Sequence, residues 1–150
     1  MHYIAKNPKN SEVYEKMVKK CKYFFIKNSI LVIDKLYYNH NGWKTLIKDD
    51  MKSVDINKLL CKLWITDELH VYPEILSKNS IVSSIIPKIY QCDAKHLSLH
   101  DQNISLNEFM FLCSSVKNLR LNEVTIKNED GTEVSFDKLI KQLPQIKEIF

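Results

Sequence analysis

The chain has 150 residues, of which 45% are apolar and 27% are charged, and its formal net charge is +4. This length and composition predict one folded domain with a hydrophobic core, and they exclude disordered, collagen-like and disulfide-stapled classes. The basic residues are scattered along the chain without a consecutive run, so a nucleic acid is not an expected partner.

The N-terminal sequence, the apolar stretches and the cysteines indicate the cellular compartment. The N-terminus lacks the pattern of a signal peptide, and no apolar stretch approaches the roughly 20 residues that a membrane-spanning helix needs. The 4 cysteines stand far apart with no C-x-x-C pair, which is typical of reduced thiols. We therefore predict a cytoplasmic or nuclear protein that is not secreted and does not bind a membrane.

The first predicted element is an amphipathic helix over residues 10–28, with Asn10 or Ser11 as its N-cap. Its apolar side chains recur at helical spacing, and they are Val13, Met17, Val18, Cys21, Phe24 and Phe25. The lysines of this segment alternate with Glu12 and Glu15, which favours a solvated helix face over a membrane-binding or nucleic-acid-binding face.

Two weaker strand signals follow, each a lysine before an apolar run: KLYY at 35–38 and KLWI at 62–65. A short helix is predicted over residues 55–60. A longer one is predicted over residues 73–86, where Pro87 stops it.

The clearest signal is a repeated phrase, KHLSL at 95–99 and KNLRL at 117–121. Side chains of a strand alternate between its two faces, so Leu97 and Leu119 are expected to point inward and their neighbours outward. The two phrases therefore predict equivalent strands.

A helix is predicted after each of these strands. S-L-N-E at Ser105 is a capping box that predicts a helix over residues 105–116. FDKLIKQLPQI predicts a second helix over residues 135–146, directly before KEIF. The turn signal at Asn128–Gly131 predicts a hairpin inserted between the two units.

Five residues are taken as equivalent anchors of these units: Leu36, Leu63, Leu97, Leu119 and Ile149. Their separations of 27, 34, 22 and 30 residues lie around the roughly 20–29 residues of leucine-rich repeats. The sequence predicts an α/β fold in a single domain over residues 1–150, with a short leucine-rich-repeat-like stack of strand–helix units and a parallel sheet. A small α/β domain with a parallel sheet is the alternative, since the consensus asparagine is missing.

A family resemblance covers most of the chain. The run MVKKCKYFFIKNSILVIDKLYY, followed by Trp43, resembles the second half of an F-box and its sequel in F-box and leucine-rich-repeat-like protein families of nematodes. The run SSIIPKIYQCDAKHLSLHDQNISLNEFMFLCSSVKNLRLNEVTIKNEDGT resembles the repeat region of the same families. By this resemblance, residues 1–28 are a helical F-box-like remnant and residues 29–150 are irregular leucine-rich-repeat-like units.

The resemblance implies an adaptor without catalytic residues. An F-box docks on the linker subunit of a cullin–RING ubiquitin ligase, and the repeats hold the protein that is ubiquitinated. The first half of an F-box, with its Leu-Pro start, is not evident before Asn10. A scaffold or structural repeat fragment with no ligase connection is therefore the alternative function.

The predicted functional feature is a binding surface for a protein partner, formed by the outward positions of aligned strands. Its predicted partner-binding residues are Tyr37, Trp64, His96, Ser98, His100, Asn118, Arg120 and Asn122, flanked by Lys62 and Thr66. Trp, Tyr and Arg are enriched among interface hot spots. Tyr37 and Trp64 have a second interpretation, in which they pack under the loop that contains Trp43.

No enzyme activity, metal site or cofactor is predicted. The chain has only 2 glycines, too few for a phosphate-binding loop. Cys92, His96 and His100 have metal-ligand spacing for a helix, but in an extended segment the outer two would lie about 26 Å apart. Asp93, His96 and Ser98 lack a nucleophile elbow, so they do not indicate a hydrolase.

Overall fold

The computed structural model describes residues 10–13, 15, 29–47, 49–74 and 79–150, without the side chain of residue 47. Most of the predicted helix over residues 10–28, and with it the F-box-like remnant, lies outside the described residues. The helix start is confirmed, because residues 11–13 are helical and the Asn10 side chain accepts a hydrogen bond of 3.0 Å from the Val13 amide.

The described chain is mixed α/β. Its strands are β1 (Ile30–Asn39), β2 (Gly42–Ile47), β3 (Asp50–Val54), β4 (Lys62–Val71), β5 (Ile89–Cys92), β6 (His96–His100), β7 (Asn103–Ser105), β8 (Asn118–Asn122), β9 (Thr125–Lys127) and β10 (Glu148–Ile149). Its α-helices are α1 (Ile81–Ile85), α2 (Leu106–Leu112) and α3 (Phe136–Lys141), and short 3-10 helices occupy Ile56–Lys58 and Ile86–Lys88.

Eight of the described strands form one sheet in the order β10-β8-β6-β4-β1-β2-β3, with β5 also paired to β4. From β10 to β1 every pair is parallel, whereas β1, β2 and β3 pair antiparallel. The predicted parallel strands are therefore present, but the sheet is mixed rather than purely parallel.

A two-residue turn produces the antiparallel edge. His40 and Asn41 connect β1 to β2, Asn39 pairs with Gly42, and Gly42 has a φ of +90° that glycine adopts readily. The Asn39 side chain also accepts a hydrogen bond of 2.9 Å from the Asn41 amide, as in an Asx turn. The chain thus reverses at once, without the crossover that a parallel pair requires.

The inward side chains form one row across the parallel strands. Leu36 pairs with Leu69, Leu69 with Leu97, Leu97 with Leu119, and Leu119 with Ile149. The predicted anchor Leu63 is therefore wrong for β4: it pairs with Leu31 and Ile89 in an earlier row, and Leu69 is the residue in register. The reason is that β4 spans both rows, across a register shift between Ile33 and Lys35 of its partner β1.

The helices pack on the inward face. Their buried residues belong to the same core cluster as the leucine row, and they are Val82, Ile85, Phe109, Leu112 and Leu139. The predicted capping box is confirmed, because the Ser105 side chain accepts from the Glu108 amide at 3.1 Å and the Glu108 carboxylate accepts from the Ser105 amide at 3.0 Å. The helices are shorter than predicted, and residues 55–60 contain only a 3-10 turn.

The last two units have the same order of secondary-structure elements. Each has a long strand, a short strand and a helix, namely β6-β7-α2 and β8-β9-α3, and the short strands β7 and β9 pair in parallel as a second small sheet. The predicted hairpin lies after β9, where Lys127 bridges Glu133 antiparallel and the amide of Gly131 donates to the carbonyl of Asn128 at 3.0 Å. The insertion leaves the register of β8 and β10 intact.

Candidate functional site

The sheet face opposite the helices carries three rows of outward side chains, which we call the open face. The first row is Lys35, Glu68, His96, Asn118 and Glu148. The second row is Tyr37, His70, Ser98, Arg120 and Phe150, and the third is Tyr72, His100 and Asn122. Strand register alone brings these residues together, because they lie up to 113 positions apart in the chain (Tyr37 to Phe150).

The open face contains seven of the eight residues predicted to bind a partner: Tyr37, His96, Ser98, His100, Asn118, Arg120 and Asn122. Several are in contact with neighbours in their rows. The Asn122 amide nitrogen lies 3.1 Å from Nδ1 of His100, and the Arg120 guanidinium lies 5.3 Å from the ring centroid of Phe150. Of the flanking residues, Thr66 donates to the carbonyl of Ile33 at 3.2 Å.

The eighth residue, Trp64, requires a correction. Its side chain points to the same side of β4 but lies under Tyr90, with 0% of its surface exposed and its ring 5.4 Å from the Tyr90 ring. Its Nε1 donates to the carboxylate of Asp93 at 2.7 Å, so the indole is both packed and hydrogen-bonded. Trp64 is therefore a core residue, although Trp43 packs against Tyr38 and not against Trp64.

Three ring-bearing residues of the open face, His70, Tyr72 and Phe150, were absent from the sequence prediction, and so were the charged residues Lys35, Glu68 and Glu148. The signal that identifies the first two is ELHVY at 68–72, which alternates like HLSLH and NLRLN. Their rings continue the rows: His70 lies 5.0 Å from Tyr37 edge-on, and Tyr72 lies 4.9 Å from His100. The open face is consequently more aromatic than the sequence prediction indicated.

Glu68 is the centre of a charged cluster in the first row. Its carboxylate accepts from Lys35 Nζ at 3.0 Å and from the Tyr37 hydroxyl at 2.9 Å. Burial opposes ionisation of Glu68, but these two donors outweigh it and lower the pKa of the carboxyl. Burial, together with donation to Glu68, raises the pKa of Tyr37 to about 12. The Glu68 carboxylate is therefore held by two hydrogen-bond donors, and its lowered pKa makes it a poor proton acceptor.

His70 is the least satisfied polar side chain of this cluster. Its Nε2 is buried and has no aligned hydrogen bond within the described part of the chain, although Oε2 of Glu68 lies 3.1 Å away. Burial lowers the pKa of His70, despite the opposite effect of the Glu68 carboxylate. The lowered pKa favours the neutral imidazole at neutral pH.

The Glu68 cluster gives a prediction about acid stability. Glu68→Gln is expected to lower the free energy of unfolding at neutral pH by about 1–3 kcal/mol, because hydrogen bonds to a charged group are lost. The folded pKa of Glu68 lies below its ordinary value of 4.5, so its contribution is present above that pH and is lost as the pH falls through the folded value. Urea unfolding of both proteins should show a difference that shrinks in acid. A difference that stays constant with pH, or an equal effect of the exposed Glu133→Gln control, contradicts the prediction.

One group of described residues has the composition of a metal site. Ligand atoms of Asp67, Glu68 and His96 lie within 4.8 Å of one another. However, the Lys35 ammonium lies 3.0 Å from Glu68 and 3.8 Å from Asp67, in the position that a cation would take. The Cys92, His96 and His100 spacing does not give a shared site, because Cys92 is in the inward core whereas the histidines are on the open face.

A recess of about 200 Å³ interrupts the second row at Ser98. Its walls are the side chains of His70, Tyr72, His96, Asn118, Arg120 and Phe150. Ser98 is much smaller than its neighbours in the row, so the rings and the guanidinium around it enclose a hollow. We call this hollow the Ser98 recess.

A larger groove of about 630 Å³ lies at the β2–β3 edge, between Trp43 and Ile81. Asp55 is the charged residue among its described lining residues, and its carboxylate accepts from the Asn57 amide at 3.1 Å as the cap of a 3-10 turn. The Ser84 hydroxyl likewise donates to the carbonyl of Ile81 at 2.6 Å, so these two polar groups of the groove serve local structure.

Comparisons with protein-family models, with curated proteins and with solved structures gave no match for this chain. Within the described ranges, no helix has the length and apolar character needed to cross a membrane.

Proposed function

We propose that this chain is a non-enzymatic protein-binding module and that its protein partner contacts the open face. One observation carries the proposal: the second row runs across five neighbouring segments, on the side of the sheet away from α1, α2 and α3. Arg120 and Phe150 of this row are exposed, Phe150 by 64%. Rows of aromatic and arginine side chains are typical of the energetic centres of protein interfaces.

We also propose that the units are leucine-rich-repeat-like. The consensus L-x-x-L-x-L-x-x-N-x-L fits residues 94–104, with consensus positions Ala94, Leu97, Leu99, Gln102 and Ile104. It fits residues 116–126 at Val116, Leu119, Leu121 and Ile126, whereas Val124 takes the asparagine position there. Gln102 takes the asparagine position, and its buried amide bonds to backbone groups. Stacked units of this kind provide extended concave binding surfaces.

The state of the thiols supports a role without covalent catalysis. Burial raises the pKa of Cys61, raises that of Cys92 to about 11, and raises that of Cys113 further. A nucleophilic cysteine needs a lowered pKa and access to solvent. None of these three described cysteines meets that requirement, and Cys92 and Cys113 are buried in the core.

A more specific version rests on the family resemblance. In it the chain is a substrate-recognition adaptor of a cullin–RING ubiquitin ligase in the cytoplasm or nucleus, with the segment over residues 10–28 docked on the linker subunit. The alternative is a scaffold whose open face binds a partner without any ligase. The two versions share the open face and differ only in the N-terminal contact.

The test compares capture by matched surface variants. The wild-type chain, Arg120→Glu, His96→Asp and the control Lys138→Glu are immobilised and exposed to an extract of the source organism. Lys138 is exposed on α3, on the helical side, so its charge reversal matches that of Arg120. We expect a discrete protein bound by the wild type and the control, and bound at least about tenfold less by the open-face variants. Equal capture by all four proteins contradicts the proposal.

Purified linker subunit provides the second arm. Direct binding that Arg120→Glu does not affect supports the adaptor version, because the linker contact is assigned to the N-terminal segment. Absence of linker binding, with capture on the open face retained, supports the scaffold version.

A further inference from the structure

We infer that the Ser98 recess receives one acidic side chain of the partner protein, with its carboxylate paired to Arg120. The inference rests on the proposed function, since it names the chemistry that the open face recognises. In this inference the recess is the binding site for one side chain of the partner.

The size of the recess limits its occupant. At roughly 30 Å³ for each water molecule in the liquid, the volume of about 200 Å³ corresponds to about seven waters. Sites for drug-sized ligands span about 300–1,000 Å³. The recess therefore suits a single side chain that enters from an extended segment lying across the strands.

The charges around the recess are unbalanced. No side-chain carboxylate is among the described residues that line it, and Arg120 is the lining residue whose side chain has a permanent charge. The neighbouring carboxylates are engaged elsewhere: Glu68 binds Lys35 and Tyr37, and Glu148 accepts from the Asn118 amide at 3.2 Å.

Arg120 itself is positioned but unpaired. It forms no ion pair with any residue in the described ranges, and its guanidinium lies over the Phe150 ring at 5.3 Å from the centroid. The ring restrains the guanidinium at the mouth of the recess, so less conformational freedom is lost when it pairs with an anion. A carboxylate is the planar anion that a guanidinium binds through two parallel hydrogen bonds.

The floor of the recess adds a second donor. The hydroxyls of Ser98 and Tyr72 are hydrogen-bonded to each other, and this bond uses one of their two hydrogens. The remaining hydroxyl hydrogen has no acceptor within the described part of the chain, although Ser98 is only 5% exposed. Each carboxylate oxygen can accept two hydrogen bonds, so an acidic side chain in the recess would supply that acceptor and still accept both bonds from Arg120.

The decisive experiment uses small blocked amino acids as probes. N-acetylglutamate methylamide, the glutamine equivalent and the phosphoserine equivalent are titrated into the ¹⁵N-labelled full chain, and chemical shifts are followed at Arg120 Nε, His96 and Ser98. We expect saturable shifts with the glutamate probe and at least about tenfold weaker binding of the glutamine probe. Arg120→Gln should abolish the shifts, while the exposed control Lys138→Gln should leave them unchanged.

Three outcomes overturn the inference. They are no shift at the recess with the glutamate probe, equal shifts with the glutamine probe, and binding of the phosphoserine probe more than about tenfold tighter, which would assign the recess to a phosphorylated residue. Failure here is separable from failure of the proposed function. If the open-face variants still lose the captured protein, the face binds a partner by other contacts.

Discussion

Leu119→Asp is expected to unfold the domain, whereas Arg120→Glu, one position along the same strand, is expected to leave the free energy of unfolding nearly unchanged. Leu119 has no exposed surface, and it pairs with Leu97 on one side and with Ile149 on the other. A carboxylate at this position has no cationic partner in the leucine row. Its burial costs more than about 4–5 kcal/mol, which is comparable with the whole stability of about 5–15 kcal/mol of an ordinary domain.

Arg120 differs because its side chain is exposed on the open face. Its contact with Phe150 is worth about 0.5–1 kcal/mol at an exposed site, and this is the expected loss in Arg120→Glu. Urea unfolding followed by circular dichroism measures both effects. Leu119→Ala is the graded control, with an expected loss of about 2–5 kcal/mol. Equal destabilisation by Arg120→Glu and Leu119→Asp would mean that the inward and outward assignments are wrong.

The repeated region was predictable because its signals are local. The alternation in HLSLH and NLRLN assigns Leu97 and Leu119 to one face, and the structure pairs these residues directly. The capping box at Ser105 involves residues three positions apart, so the sequence contains both halves of the interaction. Such features depend little on the rest of the fold.

The register of β4 was not predictable from local pattern. KLWI resembles the start of a repeat as well as ELHV does, and both segments belong to a single strand of 10 residues. The choice of Leu69 over Leu63 is made by the neighbours, since Leu36 and Leu97 both pair with Leu69. A register shift between β1 and β4, where Ile33 to Lys35 lies opposite Ile65 to Glu68, moves the pairing, and no residue type in the sequence marks it.

The sequence predicts the side of the sheet to which the site residues point, but it does not predict which of them are buried by other residues. The side chain of Trp64 does point to the predicted side of β4, yet Tyr90 of β5 covers it and Asp93 binds its indole nitrogen. Those contacts come from residues 26 and 29 positions later in the chain (64 to 90 and 64 to 93), so alternation alone cannot reveal them. Phe150 reaches Arg120 in the same way, through the pairing of β10 with β8.

Gln102→Leu is expected to cost about 3–5 kcal/mol, because it leaves several backbone groups without partners where water has little access. Gln102 is 1% exposed, and its Oε1 accepts from the Val82 amide at 3.0 Å. Its Nε2 donates to the carbonyls of His100 at 3.1 Å and of Asp101 at 3.0 Å. Leucine has a similar volume but can satisfy none of these groups.

The Val82 amide gives this prediction a site-specific measurement. It belongs to the first turn of α1, whose amides have no partner inside the helix, and the side chain at the N-cap Ser80 makes no capping hydrogen bond. Gln102 thus caps α1 from a different unit of the fold. We expect hydrogen exchange at Val82 to accelerate in Gln102→Leu by more than global unfolding accounts for, while Gln142→Leu, at an exposed position after α3, changes neither quantity. A loss below about 1 kcal/mol with unchanged exchange at Val82 would show that the buried amide is dispensable.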